Sequence, residues 1–312
     1  MQKKRLSLIL VVLVSLLAGC PSWSLARKPA LHILVSTFPI YQLTRNVTRG
    51  VDEIAIDLMI PAGLGCPHDY ALTPQDMRKL AKADLLIING LGMEEFLGAP
   101  LTQANPRLQV IDSSSGIDGI LPQEEEEHHG HEEVHHHHRG SNPHLFASPR
   151  MAARIAENIA RALAQHLPAA APSLLANGTT YGQQLQQLAD DMTRAGKGLA
   201  NNRIVTQHGV FDYLARDMGL EVVAVVQAHA GQNPSAAEIL EIVTTIKAKK
   251  AGAIFTEPQY PEAVGWTIAR EAGIASARLD PAANGPEGAP LDYYQQVMRT
   301  NLDTLEQTLG RR

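Results

Sequence analysis

The sequence predicts an α/β fold of two similar lobes, each built on a parallel four-stranded sheet, joined by one long helix. Three observations carry this. Short apolar, β-branched runs alternate with amphipathic stretches, the pattern of parallel sheets covered by helices. The alternation occurs twice, and TPQDMRKLAKADLLIING in the first half is echoed by NPSAAEILEIVTTIKAKKAGAIFTE in the second. Between the halves lies an unbroken helical stretch longer than any other. The 312 residues suffice for two domains, and a 45% hydrophobic content supports sizeable cores.

The N-terminus belongs to neither lobe. Met1-Gln2-Lys3-Lys4-Arg5 is a basic leader, and Leu6 to Ala18 is apolar but too short for a stable membrane anchor. It ends in Leu17-Ala18-Gly19-Cys20, which resembles a bacterial lipobox and implies removal of residues 1–19 and lipid attachment at Cys20. Cleavage after Ser24-Leu25-Ala26 is the alternative, and either route exports the chain to the periplasm or cell envelope. Residues 20–30 then form a tether. Losing the leader removes three of the 27 basic residues and none of the 32 acidic ones, so the net charge moves from −5 to −8. No basic patch stands out, which argues against nucleic acid as a partner. With Cys20 lipidated, Cys66 is alone and no disulfide framework forms.

The N-terminal lobe is expected over 31–171. Leu31 to Phe38 reads as a buried strand. Pro39 starts a helix carrying Ile40, Leu43 and Val47 on one face. Ile54 to Ile60 is a second strand, followed by the turn-rich PAGLGCPHDY. Thr73-Pro74 opens a helix with Met77, Leu80 and Ala81. Asp84–Asn89 and Leu108–Asp112 are the third and fourth strands. Ser148-Pro149 caps a helix with Met151, Ile155, Ile159, Leu163 and Leu167 in one stripe, ended by Pro168 and Pro172. The linking helix spans 172–198, with Leu174, Tyr181, Leu185, Leu188 and Met192 at helical spacing.

The C-terminal lobe, 199–312, repeats the scheme. Strands are expected at Arg203–Gln207, Glu221–Val226, Gly252–Thr256 and Ile274–Leu279. Helices carry Val210, Tyr213 and Leu214 up to Gly219, then Ile239 to Ile246 after Pro234-Ser235, then Trp266, Ile268 and Ala269.

One stretch fits no element. Residues 124–140 hold seven histidines (His128, His129, His131, His135, His136, His137, His138) and six glutamates. With Val134 its only large apolar residue, the tract cannot pack a core and is expected to be a disordered loop. Imidazole and carboxylate suit borderline divalent metals, zinc foremost. An expression tag or a merely solvated acidic loop are the plainer readings. Its metal affinity should fall as pH drops toward 6, since imidazoles with an ordinary pKa of about 6.5 bind only when neutral.

Ligands of parallel α/β sheets bind outside the carboxyl ends of strands. Metal-capable side chains expected there are His68 after the second strand, His144 after the tract, His208 after the fifth strand and Asp280 after the eighth. Two come from each lobe, so all four can meet in a cleft between the lobes. Any one of these histidines alone would be a structural residue. Glu257, after the seventh strand, is placed to orient an imidazole. Cys66 is a possible extra ligand or a small loop residue. His229 is an alternative ligand or an exposed loop residue, and His32 and His166 are structural or surface residues.

The segments PHDYALTPQD, NPHLFASP, TQHGVFDYLA and LDP, in this order and spacing, resemble the cluster A-I (cluster 9) solute-binding proteins of metal ABC importers, closest to the zinc-binding, ZnuA-like branch. The resemblance covers about 31–310. It implies two lobes bridged by a rigid helix, metal bound in the cleft, and delivery to a transmembrane permease by a monomeric carrier. The family pattern falls on His68, His144, His208 and Asp280. Manganese-type members carry a carboxylate at the third position, so His208 favours Zn2+ over Mn2+. Asn142 and Ala147 stand where Asp is frequent, and water can replace Asp280. The tract is then an accessory collector. A zinc hydrolase would need an open coordination position and a general base. Glu257 is the only residue placed for it, and no HExxH occurs. A zinc-binding adhesin or a periplasmic zinc buffer is a third reading.

Overall fold

The computed structural model describes residues 30–65, 67, 70–123, 140–227 and 233–310. The first sheet consists of β1 (Leu31–Val35), β2 (Ile54–Leu58), β3 (Leu85–Ile88) and β4 (Gln109–Asp112), in the order β2-β1-β3-β4. The second consists of β5 (Arg203–Thr206), β6 (Glu221–Val225), β7 (Ala253–Thr256) and β8 (Ala275–Arg278), in the order β6-β5-β7-β8. Every pairing is parallel. The two orders are the same order, so each lobe has its topological switch point between its first and third strands.

The helices are α1 (Phe38–Val47), α2 (Pro74–Lys82), α3 (Gly98–Ala104), α4 (Pro149–His166), α5 (Ala171–Lys197), α6 (Asp212–Met218), α7 (Ala236–Lys249), α8 (Ala263–Ala272) and α9 (Tyr293–Leu309). Local chemistry sets their ends. Thr73 caps α2 in a capping box with Asp76, and Ser235 caps α7 in another with Glu238. Ser148 caps α4 with Pro149 in the first turn. Gly219, left-handed at φ 73°, closes α6. Pro168 follows the end of α4, whereas Pro172 lies in the first turn of α5 and so starts that helix. Val210 sits in a 3-10 turn before α6.

Strand side chains alternate between two cores, the period of two made visible. Ile33 and Val35 face α1, α4 and α5, while Leu34 packs outward with Leu80 and Leu86. In the second sheet Ile204 faces inward and Val205 outward, with Ile254 and Ile268. The inward faces belong to one continuous core. It runs from Ile33 and Leu85 through Ile155, Ile159, Leu185 and Leu188 to Ile204 and Phe255. The 27-residue α5 is therefore packed along its length rather than exposed as a strut. A Cβ on Gly178 would stand 2.4 Å from the Ala160 Cβ, and one on Gly196 would stand 2.1 Å from Met218 O. Glycine at these two positions lets α4 and α6 lie directly against α5.

The chain then returns to the first lobe. Arg45 Nη1 donates to Ala289 O at 2.6 Å and Asn46 Nδ2 to Leu291 O at 2.8 Å. α9 packs on α5 and α1, and Tyr294 OH donates to Phe146 O at 2.6 Å. This helix, like the short α3, was not anticipated from sequence. No helix of the described residues is long and apolar enough to cross a membrane.

Candidate metal site

The second lobe supplies the better-defined half. β5 ends at Thr206, and the extended backbone of His208 projects its ring from the strand end at the switch point. Glu257 follows β7, the neighbouring strand. His208 Nδ1 and Glu257 Oε1 are 2.6 Å apart, and both side chains are buried. A carboxylate accepts, so Nδ1 carries the proton and Nε2 presents its lone pair. That Nε2 is buried and has no hydrogen-bond partner among the described residues. Gln259 Nε2 donates to the other Glu257 oxygen at 2.5 Å. Burial pushes the Glu257 carboxyl up from its ordinary value, the His208 ring and the Gln259 amide pull it down, and nearby Asp280 pushes it up.

Asp280 follows β8 and is held by α9. Asp280 N donates to Asn301 Oδ1 at 2.9 Å, and Asn301 Nδ2 donates to Asp280 O at 2.7 Å. The Asp280 carboxylate accepts from Ala282 N at 2.8 Å. Burial raises its pKa, opposed by the Ala282 N–H and by Arg278. Glu257 and Asp280 are close enough for each negative charge to raise the cost of the other in a buried setting, which a cation would relieve.

The first lobe supplies His144 through a stitched loop. At the β1–β3 switch point, buried Glu94 accepts from Ser36 Oγ at 2.6 Å, Asn89 N at 2.8 Å and Gly90 N at 3.1 Å. Asn89 Nδ2 in turn donates to Pro143 O at 2.9 Å, fixing the residue before His144. On the flanks of the tract, Pro122 and Ser141 form an antiparallel bridge, and Gln123 N donates to Gly140 O at 2.9 Å. His144 is 5% exposed, with Nδ1 2.9 Å from Asn142 Oδ1. Its ring faces His208 across the lobes, centroids 5.3 Å apart at 81°. Two imidazoles bound to one zinc through Nε2 at about 2.0–2.1 Å, at a tetrahedral angle, have centroids about 5.2 Å apart. The observed separation matches that requirement.

His68 lies outside the described residues, as do Cys20, Cys66, His229 and the seven histidines of the tract. Among the described residues no three metal-binding side chains converge. Pro67 and Tyr70, the described residues on either side of His68, are hydrogen-bonded. Tyr70 N donates to Pro67 O at 3.0 Å, and Tyr70 OH donates to Asp76 Oδ2 at 2.8 Å. His32 is tied to Asp57 at 2.8 Å on the first sheet, and His166 is exposed at the end of α4. Sequence reasoning missed Asn142 as a bonding partner, Asn89, Glu94 and Tyr213. Asn142 was visible two residues before His144, yet only as a departure from a family pattern.

Two α/β lobes of identical strand order, sharing a continuous core along a bridging helix, with imidazoles meeting between them, define the cluster A-I class of solute-binding proteins. The chain belongs to the ZnuA family, described as the periplasmic component A of the zinc-uptake complex, which it matches over residues 33–308. It is 30% identical to the high-affinity zinc uptake system protein ZnuA of Bacillus subtilis over 291 residues, covering 91% of this chain and 89% of that protein. It is also 30% identical to the zinc-binding lipoprotein AdcA of Streptococcus pneumoniae, covering 98% of this chain but 61% of AdcA. The solute-binding protein FpvC of Pseudomonas aeruginosa, solved with Ni2+, superposes with a TM-score of 0.76 at 27% identity, covering 89% of this chain and 96% of FpvC.

Proposed function

We propose that this protein captures Zn2+ outside the cytoplasmic membrane and delivers it to the permease of a metal ABC importer. His68, His144, His208 and Asp280 are the ligand set, Glu257 orients His208, and the protein is a binder rather than an enzyme. The buried, unpartnered Nε2 of His208 carries the reading. Its Nδ1 is locked by Glu257, its ring meets that of His144, and a neutral imidazole lone pair without a partner is unfavourable unless an ion takes it. The residues of the 124–140 tract form weaker, accessory sites. Cys20 holds a lipid anchor, and the chain acts as a monomer.

The zinc names of the B. subtilis and S. pneumoniae relatives support the choice of cargo. Other divalent ions are the second reading, favoured by FpvC, which has been solved with Ni2+ and with Mn2+. The nitrogen-rich set argues for zinc over manganese. Chelator-competition titration of His144→Ala and His208→Ala tests the assignment. Each should weaken the tight zinc site by well over tenfold, and an unchanged affinity in either removes that residue from the set.

A further inference from the structure

We propose that Asn142 is the positioning residue of this site, a single amide that fixes the tautomer of His144 and ties it to the segment carrying His208. The proposal rests on His144 being a ligand. Asn142 is 3% exposed, and both ends of its side chain are engaged. Its Oδ1 accepts from the backbone N of His144 at 3.0 Å and lies 2.9 Å from the ring Nδ1. Its Nδ2 donates across the lobes to Gly209 O at 2.9 Å and to Asp212 Oδ2 at 2.8 Å.

These four contacts leave one orientation of the amide. Reversed, it would aim its NH2 at the His144 N–H and its oxygen at a carbonyl and a carboxylate. With Oδ1 fixed as acceptor, His144 Nδ1 must be the donor, and Nε2 is the atom offered to the ion. Gly209 is the neighbour of His208, so one side chain holds both imidazole-bearing segments. The backbone doubles the tie. Tyr213 OH donates to Asn142 O at 2.7 Å and accepts from Leu121 N at 3.0 Å.

With Gly209 O and the Asp212 carboxylate opposite, this chain favours an amide where the family frequently has Asp. A carboxylate at 142 would still serve His144. Its second oxygen, however, would face Gly209 O and the Asp212 carboxylate at the distances now spanned by N–H donors, a like-charge contact in a buried setting. The two ligands are thus held differently, His208 by a carboxylate and His144 by a neutral amide whose other end reads the second lobe.

The test is tight-site zinc affinity of the full chain, measured against a chromophoric chelator strong enough to silence weaker sites. Asn142→Asp should bind at least tenfold more weakly. Asn142→Asp combined with Asp212→Asn, which restores a donor opposite the new carboxylate, should return to within threefold of Asp212→Asn alone. A merely structural loss would not be rescued by that exchange. Asn142→Asp within twofold of the unsubstituted protein overturns the proposal, as does a double variant no tighter than Asn142→Asp. Long-range 1H–15N correlation of His144 in the metal-free, unsubstituted protein needs no variant to fold. A protonated Nδ1 supports the proposal and a protonated Nε2 overturns it. His144→Ala serves as the control. If its affinity is unchanged, the ligand assignment itself fails. If it weakens while Asn142→Asp does not, only the role of Asn142 falls.

Discussion

His208 and Glu257 show how a binding residue is prepared before any ion arrives. The imidazole alone could adopt either tautomer and turn about its Cβ–Cγ bond. The 2.6 Å contact to Glu257 removes both freedoms. Glu257 is itself costly, a fully buried carboxyl whose pKa burial pushes up. Glu257→Ala should therefore lower zinc affinity by about 10–100-fold, the usual loss when a metal-binding histidine loses its orienting partner. Isothermal titration checks it, and a loss below threefold would mean that the ring is held by packing alone. Sequence placed His208 and Glu257 each at a strand end because strand ends follow from hydrophobic runs. It could not show that Nδ1, not Nε2, meets the carboxylate, because that depends on the extended backbone of His208 and on strand order. Asn142 was harder still. Its partners Gly209 and Asp212 lie about 70 residues away, and no local pattern encodes a contact of that range.

Elements were legible where one local rule governs them. Thr73-Pro74-Gln75-Asp76 announces α2, and the structure adds that Asp76 accepts from Thr73 N at 2.8 Å, Thr73 Oγ1 at 2.7 Å and Tyr70 OH at 2.8 Å. Burial pushes the Asp76 carboxyl up, but the bonds from Thr73 and Tyr70 outweigh it and hold the pKa below its ordinary value. The stability so contributed is present above the ordinary carboxylate range and is lost as pH falls through the depressed value. Asp76→Ala should cost about 1–3 kcal/mol near neutral pH, where the charged acceptor is lost, and less in acid. Urea unfolding at two pH values checks this, and an equal cost at both would contradict it. By contrast α9 escaped notice although Tyr294, Met298, Leu305 and Leu309 are buried on one face. The break in its stripe is Asn301, a buried polar residue that pins the backbone of Asp280 from both sides. The residue that hid the helix is the one that anchors the end of β8. The short α3 buries none of its residues, so it left no periodic signal.

At the scale of the molecule, the two-lobed plan was readable because the same strand–helix alternation occurs twice. The long linking helix expected over 172–198 was readable too, and it is α5 (Ala171–Lys197), but the packing around it was not. The shared core along α5, the return of α9 and the Asn142–Tyr213 stitch bind the lobes at three places, which opposes wide opening. α5 depends on close approach. Gly178→Ala gains about 1 kcal/mol in helix propensity but forces Ala160 aside, and overpacking costs about 1–3 kcal/mol. The variant should melt lower than the unsubstituted protein and bind zinc with unchanged affinity, since residue 178 is remote from the strand ends. A higher melting temperature would show that α4 can yield. The 124–140 tract has the larger share of histidines, but under the proposed function the tight site is the cleft, where the rings of His208 and His144 are held by Glu257 and Asn142. Isothermal titration with metal analysis of the protein lacking residues 124–140 tests this most directly. It should retain one zinc per chain at undiminished tight affinity and lose only weaker sites. Loss of all tight binding would place the defining site in the tract and contradict the account.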